Sequence, residues 1–148
     1  MKERDLRKWM RAVWGKDRLA WIEPSYGSSI GMPDTLLMFC GQWLPLELKI
    51  GEPANDGIHC KLRPAQIAFH HNAYKNGMKT AFVVGVDTPK GFNVYVAPGA
   101  SCPKDNSGVM TMLYVGDETL VGANVNMTNK FLSAGFWYLE RGSWKPSG

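Results

Sequence analysis

The chain has 148 residues, 45% of them hydrophobic and 20% charged, which suits one domain with a packed core and argues against wholesale disorder. Lys and Arg outnumber Asp and Glu by 17 to 13, a formal charge of +4 that permits a polyanionic partner without requiring one. No run approaches the roughly 20 apolar residues of a membrane span, Met1-Lys2-Glu3-Arg4-Asp5 has no secretory-signal core, and three cysteines without framework spacing do not read as a disulfide scaffold, so the expectation is a soluble, cytoplasmic domain.

Leu6, Met10, Val13 and Trp14 recur at three- and four-residue spacing and predict a helix over residues 3–15, with Gly15 as its stop. Glu3 falls on the face shared by Leu6 and Met10, so it is either a frayed end in solvent or a carboxylate aimed into a site. Lys2, Arg4, Arg7, Lys8, Arg11, Lys16 and Arg18 crowd the same segment, a pattern that fits a solvated face as well as a phosphate-binding one. Residues 18–23 read as a strand, and Pro24-Ser25-Tyr26-Gly27-Ser28-Ser29 as a loop. Asp34–Phe39 and Trp43–Ile50 are strands joined by a short reversal at Gly41, the signature of an antiparallel hairpin.

Gly51–Lys61 is polar and glycine-bearing and reads as a mobile loop. A helix opens at Pro64, a favoured first position, and closes near Gly77. Thr80–Asp87 and Gly91–Ala97 are β-branched and apolar, hence strands. The predicted class is α/β, a mixed sheet flanked by helices. Beyond Pro98 the pattern weakens: Val109–Val115 reads as a strand, and Asn129–Arg141 as either a helix or a strand pair.

The chemistry gathers on the hairpin. In Trp43–Ile50, the leucines at 44, 46 and 48 and Ile50 point one way, while Trp43, Pro45, Glu47 and Lys49 point the other. Folding about Gly41 brings Asp34 opposite Glu47 or one residue away, where cross-strand neighbours lie roughly 5 Å apart. Two close carboxylates repel unless a cation neutralises them. Hard oxygen ligands suit Mg²⁺, with Mn²⁺ able to substitute. A surface Glu–Lys pair beside an unrelated aspartate is the plainer explanation of the same residue types.

Gly31-Met32-Pro33-Asp34, twelve further residues and then Glu47-Leu48-Lys49 form a PD-(D/E)xK arrangement, and Lys61-Leu62-Arg63-Pro64-Ala65-Gln66 adds a glutamine in the first turn of the next helix. Over about residues 1–97 the chain resembles the PD-(D/E)xK nuclease superfamily, in particular the virus-type replication-repair nucleases and the phage endonucleases similar to Holliday-junction resolvases. Nothing in residues 98–148 matches that pattern, so they read as a C-terminal extension of a single domain.

The resemblance implies a restriction-endonuclease-like α-β-β-β-α-β core and a metal-dependent endonuclease acting on branched or structured DNA, of phage or prophage origin. Asp34 and Glu47 would be metal ligands, with the Leu48 carbonyl a further donor. Lys49 would position the attacking water, and Gln66 would orient Lys49 or the phosphate. The family also supplies an upstream acid, for which Glu23 is favoured and Glu3 is the rival. A junction has two symmetric scissile strands, so a C2 homodimer would fit, with the extension as a source of the contact. A nicking or single-strand-specific nuclease and a non-catalytic nucleic-acid-binding module are the alternatives.

Ser25, Tyr26, Ser28 and Ser29 precede the site and could hold phosphates. Lys61 and Arg63 flank a helix N-terminus, which attracts anions; solubilising loops would use the same residues. The spacing of His59, Cys60, His70 and His71 does not suit zinc, and these histidines read as surface or partly buried groups. Of the six tryptophans, at least four are expected in the core rather than stacked on bases. No phosphate loop is present, so no nucleotide cofactor is expected.

Overall fold

The computed structural model describes residues 1–21, 31–39, 42–104, 107–119, 137–140 and 143–146. Helix α1 (Glu3–Trp14) buries Leu6, Trp9, Met10, Val13 and Trp14 on one face, as the spacing predicts. Its N-terminus is closed by Asp5, whose carboxylate accepts the Lys2 N–H at 2.7 Å. Gly15 ends it, and a 3-10 turn (Lys16–Arg18) leads into strand β1 (Leu19–Trp21).

Strands β2 (Thr35–Phe39) and β3 (Gln42–Ala54) form the predicted antiparallel hairpin, with Thr35 paired to Leu46 and Met38 to Trp43. β3 is long enough to meet three partners in turn. Its first third pairs with β2, Leu46–Ile50 runs parallel to β5 (Ala81–Asp87), and Gly51–Ala54 pairs with β4 (Gly57–Cys60).

That last pairing corrects the reading of Gly51–Lys61 as a mobile loop: Gly51–Cys60 is a β-hairpin. Asn55-Asp56-Gly57 turns it, and Gly51, Ile58 and Cys60 are buried while Glu52, Pro53 and His59 face out. The one-sided alternation was hidden by the short strands and their polar outer face.

Helix α2 (Pro64–Lys75) then crosses from β3 to the parallel β5, with Pro64 at its first position. β6 (Phe92–Pro98) returns antiparallel to β5. A 3-10 turn (Gly99–Ser101) follows. The expected strand over Val109–Val115 divides into β7 (Val109–Met110), which pairs with β4, and β8 (Leu113–Asp117), which adds to the main sheet beside β6. Part of the C-terminal extension therefore belongs to the sheet. Within Asn129–Arg141, the described residues form one strand, β9 (Trp137–Glu140), antiparallel to β10 (Ser143–Pro146) beyond that range; residues 129–136 and 141 lie outside the described residues.

The main sheet runs β1-β2-β3-β5-β6-β8, mixed because β3 and β5 are parallel and the other neighbours antiparallel. It is an α/β fold with the element order α-β-β-β-α-β, β4 being inserted before α2. α1 covers one face through Leu6, Met10 and Val13, packed on Leu37, Leu46, Leu48, Val83 and Val94. On the other face Phe82, Val84, Val86, Ala97 and Met110 form a second core, with Ile67 of α2 against it. Residues 81–86 of β5 are buried without interruption, as a central strand covered on both faces should be. No helix among the described residues is long and apolar enough to cross a membrane.

Candidate metal and phosphate site

The approach to the site is fixed by a glycine. Gly31 has φ +69°, and a Cβ there would run into the Ala65 carbonyl and lie 2.5 Å from the Gln66 nitrogen. Only glycine lets the chain press this closely on the first turn of α2. Pro33 is buried, and Asp34 follows at the mouth of β2.

The β2–β3 register pairs Thr35 with Leu46. Asp34 and Glu47 are the next residues of the two chains beyond that ladder. Leu44, Leu46 and Leu48 enter the core beneath α1, so the alternate residues Pro45, Glu47 and Lys49 belong to the face that α2 covers. Leu48 lies two residues past the end of the β2–β3 ladder, with β5 on its other side.

Asp34 is one-third exposed and engaged. The Arg7 guanidinium donates to its Oδ2 at 2.7 Å, and the Thr35 hydroxyl to its Oδ1 at 3.1 Å. Arg7 also reaches Glu3 at 3.3 Å and lies over the Trp21 ring, 4.7 Å from the centroid. Glu3 is thus an exposed carboxylate linked to Asp34 through a shared cation. The rival upstream acid Glu23 lies outside the described residues, as do Ser25, Tyr26, Ser28 and Ser29.

Glu47 is the opposite case. It is buried, and its Oε1 has no hydrogen-bond partner. Its nearest cationic candidate is His70 of α2, whose Nε2 stands 3.5 Å away, an ion-pair separation without hydrogen-bond geometry. His70 is fully buried, its Nδ1 is 2.7 Å from the Thr80 hydroxyl, and its ring lies 4.4 Å from that of Phe82. This corrects the reading of His70 as a surface or partly buried group: it sits on the inner face of α2, four residues after Gln66. His59 is exposed and His71 half-buried.

Gln66 is buried, and its Oε1 accepts the Arg63 N–H at 3.0 Å, closing the N-terminus of α2. Lys49 is partly buried and has no ion pair among the described residues. Lys61 and Arg63 are exposed at the same helix end. Two free, buried thiols flank the strand. Burial pushes Cys60 up to about 11 against the pull of Lys49, and pushes Cys102 up to about 11 with the Glu47 carboxylate adding to it. Trp43 is 60% exposed on the Glu47 face, whereas Trp9 and Trp14 are buried in edge-to-face contact.

No group of three or more His, Cys, Asp or Glu side chains clusters as a metal site among the described residues. The donor chemistry nevertheless suits a hard divalent cation: Asp34 lies one residue beyond the β2–β3 ladder, and the buried Glu47 has an Oε1 without a hydrogen-bond partner. Sequence reasoning missed Arg7, His70 and Thr80. The four-residue spacings Glu3–Arg7 and Gln66–His70, each one helix face, were the available signals.

No protein-family model matches the chain, and no curated protein shows significant sequence similarity to it. Among solved structures, the chain is similar to the Holliday junction resolvase Hjc of the archaeal hyperthermophile Archaeoglobus fulgidus. The TM-score is 0.43 at 15% identity, over 74% of this chain and 84% of that one.

Proposed function

We propose that the protein is a metal-dependent endodeoxyribonuclease that hydrolyses phosphodiester bonds in branched or structured DNA. What supports the reading is the β2–β3 register, which ends at Thr35–Leu46 and leaves Asp34 and Glu47 as the next residues of the two chains, with Lys49 two further along β3. The PD-(D/E)xK arrangement of these residues supports it, as does the buried, unpartnered Glu47 oxygen. Asp34, Glu47 and the Leu48 carbonyl would hold Mg²⁺ or Mn²⁺. When bound, such an ion polarises the phosphate and lowers the pKa of bound water.

The chain's own groups do the rest. Lys49 steadies the attacking water and offsets charge on the phosphate. Water adds to phosphorus as the P–O3′ bond breaks, leaving a 5′-phosphate and a 3′-hydroxyl. Gln66 holds the α2 N-terminus against Gly31, and the exposed Lys61 and Arg63 beside it offer charge to the DNA backbone. Two scissile strands in a junction call for two sites, so the reading includes a C2 homodimer, which light scattering tests directly.

Cleavage of a synthetic four-way junction, beside matched linear duplex and single strands, decides between readings. Paired junction cuts that disappear with EDTA and in Lys49→Ala are the expected result. Equal cutting of all three substrates would remove the junction preference. Salt-sensitive binding with no cutting in Mg²⁺ or Mn²⁺ would make the protein a nucleic-acid-binding module instead.

A further inference from the structure

We infer that His70 is a positioning residue for Glu47, held as the Nε2-protonated tautomer by Thr80; the inference rests on the reading of Glu47 as a cation ligand. The imidazole has no exposed surface, so both ring nitrogens must be satisfied inside the protein. Nδ1 is already 2.7 Å from the Thr80 hydroxyl. Nε2 lacks a hydrogen-bond partner, and so does Glu47 Oε1, 3.5 Å away.

One assignment suits the contacts best. Thr80 donates its O–H to Nδ1, which leaves the proton on Nε2, the atom 3.5 Å from the carboxylate oxygen, where it attracts the carboxylate without a formed hydrogen bond. The other tautomer would set a lone pair against that oxygen. The ring cannot easily turn away, because Phe82 lies against its face and Phe69 meets it edge-on, at 4.4 and 5.7 Å between centroids. The relay Thr80–His70–Glu47 therefore orients the Glu47 carboxylate. It connects the residue before β5 with α2 and β3, so the orientation of Glu47 is set by the packing of α2 on the sheet.

The test combines a proton assignment with cation binding. A long-range ¹H–¹⁵N correlation spectrum of the metal-free protein should show His70 with Nε2 protonated and Nδ1 bare. Mn²⁺ binding, followed by the electron-spin-resonance signal of free ion, should weaken about 10- to 100-fold in His70→Phe, as loss of a ligand's supporting partner does. Phenylalanine keeps the ring stacking but has no donor. His70→Gln restores an N–H near the Nε2 position and should recover affinity to within a few-fold.

Should His70→Phe not fold, Thr80→Val carries the same question: it should weaken Mn²⁺ binding and disturb the tautomer. A proton on Nδ1, or unchanged Mn²⁺ affinity in folded His70→Phe while Asp34→Asn abolishes it, would overturn the positioning role and leave the nuclease reading intact. Wild-type protein that binds Mn²⁺ no better than Asp34→Asn would overturn both.

Discussion

Gly31→Ala separates a backbone effect from a collision. At φ +69°, a residue with a Cβ pays roughly 1–2 kcal/mol for the left-handed conformation alone. Gly77, just past α2, has φ +74° with nothing within 4 Å of its added Cβ, so Gly77→Ala measures that part by itself. At Gly31 the new methyl also meets the Ala65 carbonyl and the Gln66 nitrogen, which are backbone atoms of a capped helix turn and cannot swing aside. Forcing a methyl into such a contact costs about 1–3 kcal/mol more. The sums are about 1–2 kcal/mol for Gly77→Ala and about 2–5 kcal/mol for Gly31→Ala. At about 2–4 °C per kcal/mol for a chain of this size, the melting temperature should fall by about 2–8 °C and about 4–20 °C respectively. Thermal melts by circular dichroism read the stability, and junction cleavage on the folded fraction reads the placement of Asp34. Equal melting temperatures for the two variants would refute the packing of Gly31 on α2.

Three further outcomes rest on the same fold. Arg7→Met removes the cation that Asp34 now holds; because that pair is one-third exposed and worth at most about 1 kcal/mol, Mn²⁺ affinity should rise by up to about fivefold in calorimetry, and a fall would show that Arg7 supports the site instead. Trp43→Ala should weaken binding of junctions with unpaired bases by about 5- to 160-fold while leaving perfect duplex unchanged, in a fluorescence anisotropy titration, since a stacked base is worth about 1–3 kcal/mol. The thiols of Cys60 and Cys102 are raised from 9.0 to about 11, so the stability of their neutral forms is full below pH 9 and lost as pH rises toward 11. Urea midpoints should accordingly fall less steeply between pH 9 and pH 10.5 in Cys60→Ala than in wild type, the full effect being about 2–3 kcal/mol per thiol; identical slopes would sink that assignment.

What the sequence showed and what it hid divide along physical lines. The antiparallel β2–β3 hairpin was accessible because two runs of strong alternation separated by so short a connection have few ways to pair. Helices α1 and α2 were marked by apolar spacing at one and by Pro64 and Gly77 at the other. The Gly51–Cys60 hairpin was not, because four-residue strands with one polar face carry the composition of a loop until a third strand, β7, is known to lie beside them. The partners of the carboxylates were hidden for another reason. Arg7 reaches Asp34 across 27 residues, and Thr80 reaches His70 from the connection just before β5, so neither contact has a local signature.

Those partners give the two carboxylates different characters. Both would be costly side by side without compensation. Asp34 is compensated from the α1 face by a permanent cation, at a position one-third exposed, where water and ions can exchange for the guanidinium. Glu47 is buried on the α2 face beside a histidine at a distance that leaves its oxygen unbonded. Asp34 is thus replaceable at its partner, and Glu47 is fixed by its burial. On the nuclease proposal, Asp34 and Glu47 would hold the cation, with Arg7 the group it would have to displace. The cost of assembling the site then falls on the exposed side, where screening keeps it small, and the buried side supplies the geometry.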